Sequence, residues 1–519
     1  MFSVMSWRAS FGTVVLIAVM CPGLSMCSQE VPPPQVSSIT VNSRLVVLDV
    51  TVTDKAGKPV TDLKRGDFRV FEDNQPRPVR SFETPSEHGL PPQSEAISTT
   101  FDSAHPAAFG QSPVMILMLD QLNTHFADSS FARRELHDYL VAQPALLPQP
   151  TNLLTIYDNQ FHQLAGFTRD RDALLQALAK APVKNSWILD RDGKSEGGPF
   201  DRLQQSLEAL EQMVQSYAQL AGRKNLLWVG GGFPTTDPTM IDGDDAKEVK
   251  NMLQHVTDLL LASHVTLYAV DPTSSAVGLT EITTIEQSNF AMAAGGLSSG
   301  IDPFDSNEDF DRLGPVTGGR VIRGKNDLRQ QIEAAVSLSD IYYTIGYEPA
   351  EAPNDSSYRH IRVECLRPVL KVSTREGYYP LSEQQRVTQS NMADDLQAAL
   401  RSSVRLNGIL VQAQREASAD GSEKYLLHVR ASDLTWKPNA SGAPETHVEA
   451  VSAQFSNKEK LLNHTVQAMT ATAKPDTDLH DPARGVDFVL SIPANAHTVK
   501  TRFIIRDAAS GRMGSVDLP

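Results

Sequence analysis

The sequence predicts an α/β, doubly wound central domain flanked by small β-sandwich-like modules. Three observations carry that prediction. Between 113 and 350, short apolar runs such as VMILML and NLLWV alternate with amphipathic stretches of helical period, the pattern of a parallel sheet covered on both faces. On either side of that region apolar residues recur at every second position between turn residues, as in antiparallel strands with one buried face. The chain is also 519 residues long, more than one ordinary core organises.

Residues 1–28 predict a signal peptide. Arg8 is the only charge before the apolar run VVLIAVMC, which is too short to span a bilayer but has the length of a secretory core. The stretch LSMC looks like a lipoprotein cleavage box ending at Cys27, except that Met26 stands where a small residue is usual. A lipid anchor at Cys27 and simple cleavage near it both remain open. The mature chain is expected to carry no transmembrane helix and to reside in the periplasm, on the outer membrane surface or outside the cell.

A β module is expected at 36–84. SRLVVLDVTVTDKAGKPV alternates and then turns at 55–59, and FRVFEDNQPRPVRSFE forms a second hairpin turning at Asp73 and Asn74. Residues 85–112, rich in Pro, Ser, Thr and Gly, read as a linker.

The α/β region, 113–350, opens with a strand ending at Asp120. It continues through a helix capped at Ser129 or Ser130, the strands NLLTIYD and FHQLAGFT, and a helix with Asp170 before it. Leu203, Leu207, Leu210, Met213, Val214, Tyr217 and Leu220 then fall on one helix face, followed by NLLWVGGG, a second amphipathic helix and VTLYAV. The strand DIYYTIGY closes the region. A β segment at 351–384, a helical linker at 385–404 and a β-sandwich at 405–519 complete the chain.

Composition excludes several functions. A net charge of −15 with no Lys/Arg cluster argues against nucleic-acid partners. Only Cys365 lies beyond the leader, in an alternating run where a thiol acts as a small hydrophobe, and the histidines (His162, His264 and His360 among them) show no ligand spacing. Gly296-Leu-Ser298-Ser-Gly300 fits a nucleophile elbow but lacks the strand before it and the helix after it. Asp305, Asn307 and Asp309 begin a calcium-loop pattern, yet Phe310 replaces the required Gly and Val316 the closing Glu. No enzyme is expected.

Several stretches carry a resemblance: LDVTVTDKAGKPVTDLKRGDFRVFEDNQPRPVRSF, LMLDQLNT, AGFTRDRDAL, TGGRVIRGKNDLRQQIEAAVSLSDIYYTIGYEP, VSTREGYYP and RDAASGRMGSVDLP. Together they resemble secreted bacterial proteins described as VWFA-related, of the acidobacterial type, with a central region similar to a von Willebrand factor A (VWA) domain. In ligand-binding A domains an Asp-x-Ser-x-Ser loop, a Thr and a Thr-Asp-Gly strand end hold Mg²⁺, a hard cation that takes oxygen ligands. Here Asp120 matches the first Asp and Thr124 the second Ser, whereas Leu122 stands at the first Ser and Gly230-Gly231-Gly232 at the strand end. The resemblance therefore implies a degenerate metal-ion-dependent adhesion site, with Mg²⁺ as its cation, Asp120 and Thr124 as ligands, and Asn123 and Asp237 beside them. The competing local reading is that Asp120, Asn123 and Thr124 cap the sheet edge by hydrogen bonds.

Together these features lead us to expect an exported, non-catalytic interaction protein whose partner is a protein or cell-surface ligand. The alternative is a structural envelope protein in which the A-like domain is only a scaffold.

Overall fold

The computed structural model describes residues 45–519 except 91–99, 104–105, 125, 158–159, 184–198, 233–242, 272–312, 323–327, 337–338, 351–356, 380–391, 403, 417–421, 459, 476 and 482–483. The leader, Cys27, the Gly296–Gly300 stretch and the Asp305–Asp309 stretch lie outside the described residues. Strands predominate over helices, and no described helix is long and apolar enough to cross a membrane.

A six-stranded sheet forms the centre. Its strands are β1 (Val114–Asp120), β2 (Leu146–Tyr157), β3 (Gln160–Asp170), β4 (Lys224–Val229), β5 (Val265–Val270) and β6 (Arg320–Ile322). They lie in the order β6-β5-β4-β1-β2-β3, parallel throughout except for the antiparallel edge strand β3. The helices are α1 (Phe126–Ala142), α2 (Arg171–Lys180), α3 (Pro199–Tyr217), α4 (Gly243–Ala262) and α5 (Leu328–Val336).

Strand pleating explains why every residue of β1 is buried. Val114, Ile116 and Met118 point to a core shared with Leu207, Leu210 and Met213 of α3 and Leu253, Val256 and Leu260 of α4. Met115, Leu117 and Leu119 point the other way, to Leu136 and Leu140 of α1, Leu174 and Leu178 of α2, and Ile332 of α5. Asp170 caps α2, its carboxylate accepting from the N–H groups of Asp172 at 2.9 Å and Ala173 at 3.2 Å.

The first β-sandwich departs from the order the sequence suggests. Tyr343–Tyr347 does not join the parallel sheet; it pairs antiparallel with Val46–Val50. One sheet runs Lys371–Ser373, Val46–Thr53, Tyr343–Tyr347, Val79–Glu83, and the facing sheet runs Gly377–Tyr378, Arg359–Cys365, Phe68–Glu72, Gln75–Arg77. The expected separate pieces at 36–84 and 351–384, and the last strand of 113–350, are thus one module into which the α/β unit is inserted. The reason is burial: Leu48, Val50, Phe68, Val70, Tyr343, Ile345, Ile361 and Val363 make a single core that neither half could close. Tyr343 is fixed there by donating its hydroxyl to the Val60 carbonyl at 2.8 Å. The expected turn at Asp73-Asn74 is a two-residue hairpin, both residues with positive φ (48° and 62°) between the paired Glu72 and Gln75.

Two further boundaries shift. The 85–112 stretch is more than a linker, because Phe101 and Phe109 sit in the α3/α4-side core against Phe167. The stretch read as a helical linker contains α6 (Met392–Arg401), whose Leu396 and Ala399 cover Val451, Ile504 and Met513 of the C-terminal sandwich. That sandwich faces a sheet of Val411–Glu416, Ser422–Arg430 and Gly485–Pro493 against one containing Pro444–Phe455, Leu461–Thr472, Lys500–Asp507 and Met513–Leu518.

Candidate functional site

Leaving β1, the chain turns between two glycines of β4's exit and the flank of α3. Asp120, the last residue of β1, is fully buried. One carboxylate oxygen accepts the backbone N–H groups of Leu122 and Asn123, both at 2.9 Å, closing a tight turn. The other accepts the indole N–H of Trp228 at 3.1 Å. Burial pushes the carboxyl up to about 6, against the lowering pull of these donors.

Thr124 is buried as well, its hydroxyl oxygen accepting the Gly231 N–H at 2.8 Å. Asn123 donates its side-chain amide to Ser206 Oγ on α3 at 2.8 Å, and its carbonyl oxygen is buried without a donor among the described residues. Leu122 packs into the α3/α4-side core. Asp237 lies outside the described residues.

The two glycines are required by proximity. A Cβ on Gly230 would stand 2.4 Å from Asp120 Cβ and 2.6 Å from Thr124 Oγ1, and one on Gly231 would stand 2.9 Å from the Asn123 carbonyl. Asp120, Asn123 and Thr124 are therefore brought together with the β4 exit.

Their arrangement does not fit Mg²⁺. A cation at Asp120 would have to displace or face three N–H donors, each with its positive end on the carboxylate, and Leu122 offers no oxygen. Among the described residues, no group of three or more His, Cys, Asp or Glu is placed to hold a metal. The contacts instead match the capping alternative.

Trp228 and Ser206 were not singled out in the sequence. Trp228 gave a usable signal, because a Trp inside a buried strand needs an acceptor for its indole N–H. Ser206 gave none: it is one polar residue on a long helix, and only the fold brings it to Asn123.

Other positions are structural. His162 stacks on Tyr157 with ring centroids 3.9 Å apart. His264, at φ 55°, has Nδ1 3.4 Å from Asp49 Oδ2. His360 meets Tyr358 edge to face, and Cys365 ends a strand of the first sandwich as a free, half-buried thiol.

No protein-family profile matches the chain, and no curated protein sequence does. Among solved structures it is similar to the SpRpn10 VWA domain, with 15% identity, 44% of this chain and 96% of that one covered, and a TM-score of 0.21. It is similar to the pilus adhesin SpaC from Lactobacillus rhamnosus GG, with 9% identity, coverage of 74% and 54%, and a TM-score of 0.24. A third similarity is to three N-terminal domains of the type V pili tip protein Mfa5 from Porphyromonas gingivalis, with 10% identity, coverage of 92% and 95%, and a TM-score of 0.22. Scores this low establish neither a shared fold nor a shared role.

Proposed function

We propose that this chain is an exported, non-catalytic interaction protein that binds a protein or cell-surface ligand at the carboxyl edge of its parallel sheet. Its central domain is read as doubly wound and VWA-like, with an adhesion site that has lost its metal and keeps its position. The observation that carries this reading is topological. From β1 the chain builds outward through β2 and β3 on one side and then crosses back to place β4 on the other side of β1, so the β1–β4 crevice is the switch point where open α/β sheets take their ligands. Asn123 and Gly231 lie half-buried at that crevice, while Asp120 and Thr124 hold its two walls together from beneath.

A non-catalytic role is supported by what surrounds Asp120. A carboxyl raised toward neutrality invites a general acid–base role. This one has N–H donors on both oxygens, from Leu122, Asn123 and Trp228, and none of these three groups titrates.

The alternative is a structural envelope protein in which the α/β unit is a scaffold. It is favoured by the insertion of that unit into the first sandwich, which suits a rigid spacer.

Photo-crosslinking in intact cells separates the two. A crosslinking residue is placed at Asn123 or Asp271 on the carboxyl edge, and at Val489 or Val466 on the exposed face of the C-terminal sandwich. The interaction reading expects a discrete adduct from the edge positions. Adducts confined to the sandwich positions would favour the scaffold, and labelling confined to the cytoplasm would overturn both.

A further inference from the structure

A free sheet edge offers a row of unpaired N–H and C=O groups to any other extended chain, and folded proteins close such edges by brevity, charge, proline or cover. Most edges here are closed in one of those ways. The four outer strands of the first sandwich have five residues or fewer. In the central sheet β6 has three residues, and β3 is broken by register shifts and bridged by Thr100. In the C-terminal sandwich Val411–Glu416 carries Arg415 and Glu416, and Gly485–Pro493 carries Asp487 and ends in proline. Met513–Leu518 is covered: the Ser515 N–H donates to the Leu406 carbonyl at 2.8 Å, and the Ile409 N–H to the Met513 carbonyl at 3.1 Å.

Leu461–Thr472 is built differently. It has twelve residues, LLNHTVQAMTAT, with no Asp, Glu, Lys, Arg, Pro or Gly among them. One side pairs with Pro444–Phe455, and among the described residues no strand pairs with the other. Past an irregularity between Leu461 and Asn463, the register is unbroken to Thr472.

Val466 shows what this edge lacks. Across the sheet Ile504 stands opposite Val451, and Val451 opposite Val466. Ile504 and Val451 are fully buried beneath Leu396 and Ala399 of α6, whereas Val466 is 48% exposed. An apolar row therefore runs to the open edge and ends there half-covered.

Charge and symmetry identify the occupant. The net charge of −15 opposes contact between copies, and this strand contributes none of it. Two copies of the strand set antiparallel, with Val466 on the two-fold axis, place Val466 against Val466 and carry the Ile504–Val451–Val466 row into the second copy. Away from the axis Thr465 faces Gln467, His464 faces Ala468 and Asn463 faces Met469, so no like charges meet. A two-fold contact of this kind uses each edge once and closes. We propose that the Leu461–Thr472 edge is a self-association surface, through which two copies of this chain join their C-terminal sheets into one. A single strand pair is a small interface, so the dimer belongs to the weak class, with a dissociation constant of about 1–100 μM. It uses no residue at the carboxyl edge of the parallel sheet.

The test is sedimentation velocity of the full chain from about 1 to about 200 μM, a range that brackets the expected constant. The wild type should convert from monomer toward dimer across it. Val466→Lys sets two like charges face to face and should weaken association at least about tenfold. Val183→Lys makes the same charge change at an exposed site on the α/β unit and should leave the dimer unchanged. A second measurement does not depend on the lysine variant folding. With the other cysteines replaced by Ser, Val466→Cys should form an interchain disulfide on mild oxidation, because side chains directly opposite have Cβ atoms about 4.5–5.5 Å apart. Thr470→Cys, which faces Leu462, should not. A chain that stays monomeric at the top of the range would overturn the proposal and leave the edge to a strand from another protein. A dimer that survives Val466→Lys, or a disulfide at position 470 and not at 466, would overturn it as well.

Discussion

Asp120 shows how one buried carboxylate can organise a turn. Its oxygens hold the turn after β1 and, through Trp228, tie that turn to β4. With the folded value near 6, above the usual carboxylate range, the folded chain binds this proton more tightly than the unfolded one. The associated stability is full below about pH 4 and is lost as pH rises through about 6, on the order of 3 kcal/mol in all. Urea unfolding at pH 5 and pH 7.5 should reveal this component of the slope, and Asp120→Asn should remove it. Titration with Mg²⁺ should leave the wild-type curve unchanged at both pH values, and a Mg²⁺-dependent rise lost in Asp120→Asn would restore the adhesion-site reading. Gly230→Ala drives a methyl into Asp120 and Thr124. It is expected to cost about 1–3 kcal/mol in the same assay. The sequence showed Asp120 and Thr124 by position, but not where their oxygens point, because direction depends on a Trp and two glycines more than a hundred residues away.

Among the elements, those defined by local chemistry were the legible ones. The apolar run of β1 before Asp120, the Asp170 cap and the Asp73-Asn74 turn follow from short-range rules, and the structure has each in place. The turn gives a direct check: Asn74 has φ 62°, so Asn74→Ala should lower stability by about 1 kcal/mol, measured by thermal unfolding. What stayed hidden were partners. Tyr343–Tyr347 alternates like any strand, and nothing local tells it to pair with Val46–Val50 rather than extend the parallel sheet. Helix α6 was legible as a helix, but its covering role needs the sandwich beneath it. It is held by Arg506, buried and bonded to Asp395 at 2.9 Å and to Glu449 at 3.2 Å. Arg506→Ala would strand both carboxylates and is expected to cost about 3–5 kcal/mol, with α6 amides losing protection first in hydrogen exchange.

For the molecule as a whole, the β modules at either end of the chain were legible as alternation, but their closure was not. The α/β unit meets the C-terminal sandwich through Asn407, which donates its side-chain amide to the Ser216 carbonyl at 3.0 Å, and through Arg430, which donates to Gln219 Oε1 at 2.7 Å. The first sandwich is built from both flanks of the α/β unit. A chain ending at residue 379 should keep that sandwich, whereas one ending at residue 340 should lose it. Hydrogen exchange at Val46–Thr53 reads the difference, and protection surviving in the shorter chain would contradict the shared core. This arrangement also sets an order of events during synthesis. Val46–Val50 is made well before its partner Tyr343–Tyr347, which emerges only after the whole α/β unit, so the unpaired edge of Val46–Val50 must be kept from other chains throughout that interval. A holding chaperone, or delivery of the chain across a membrane before it folds, would meet that need.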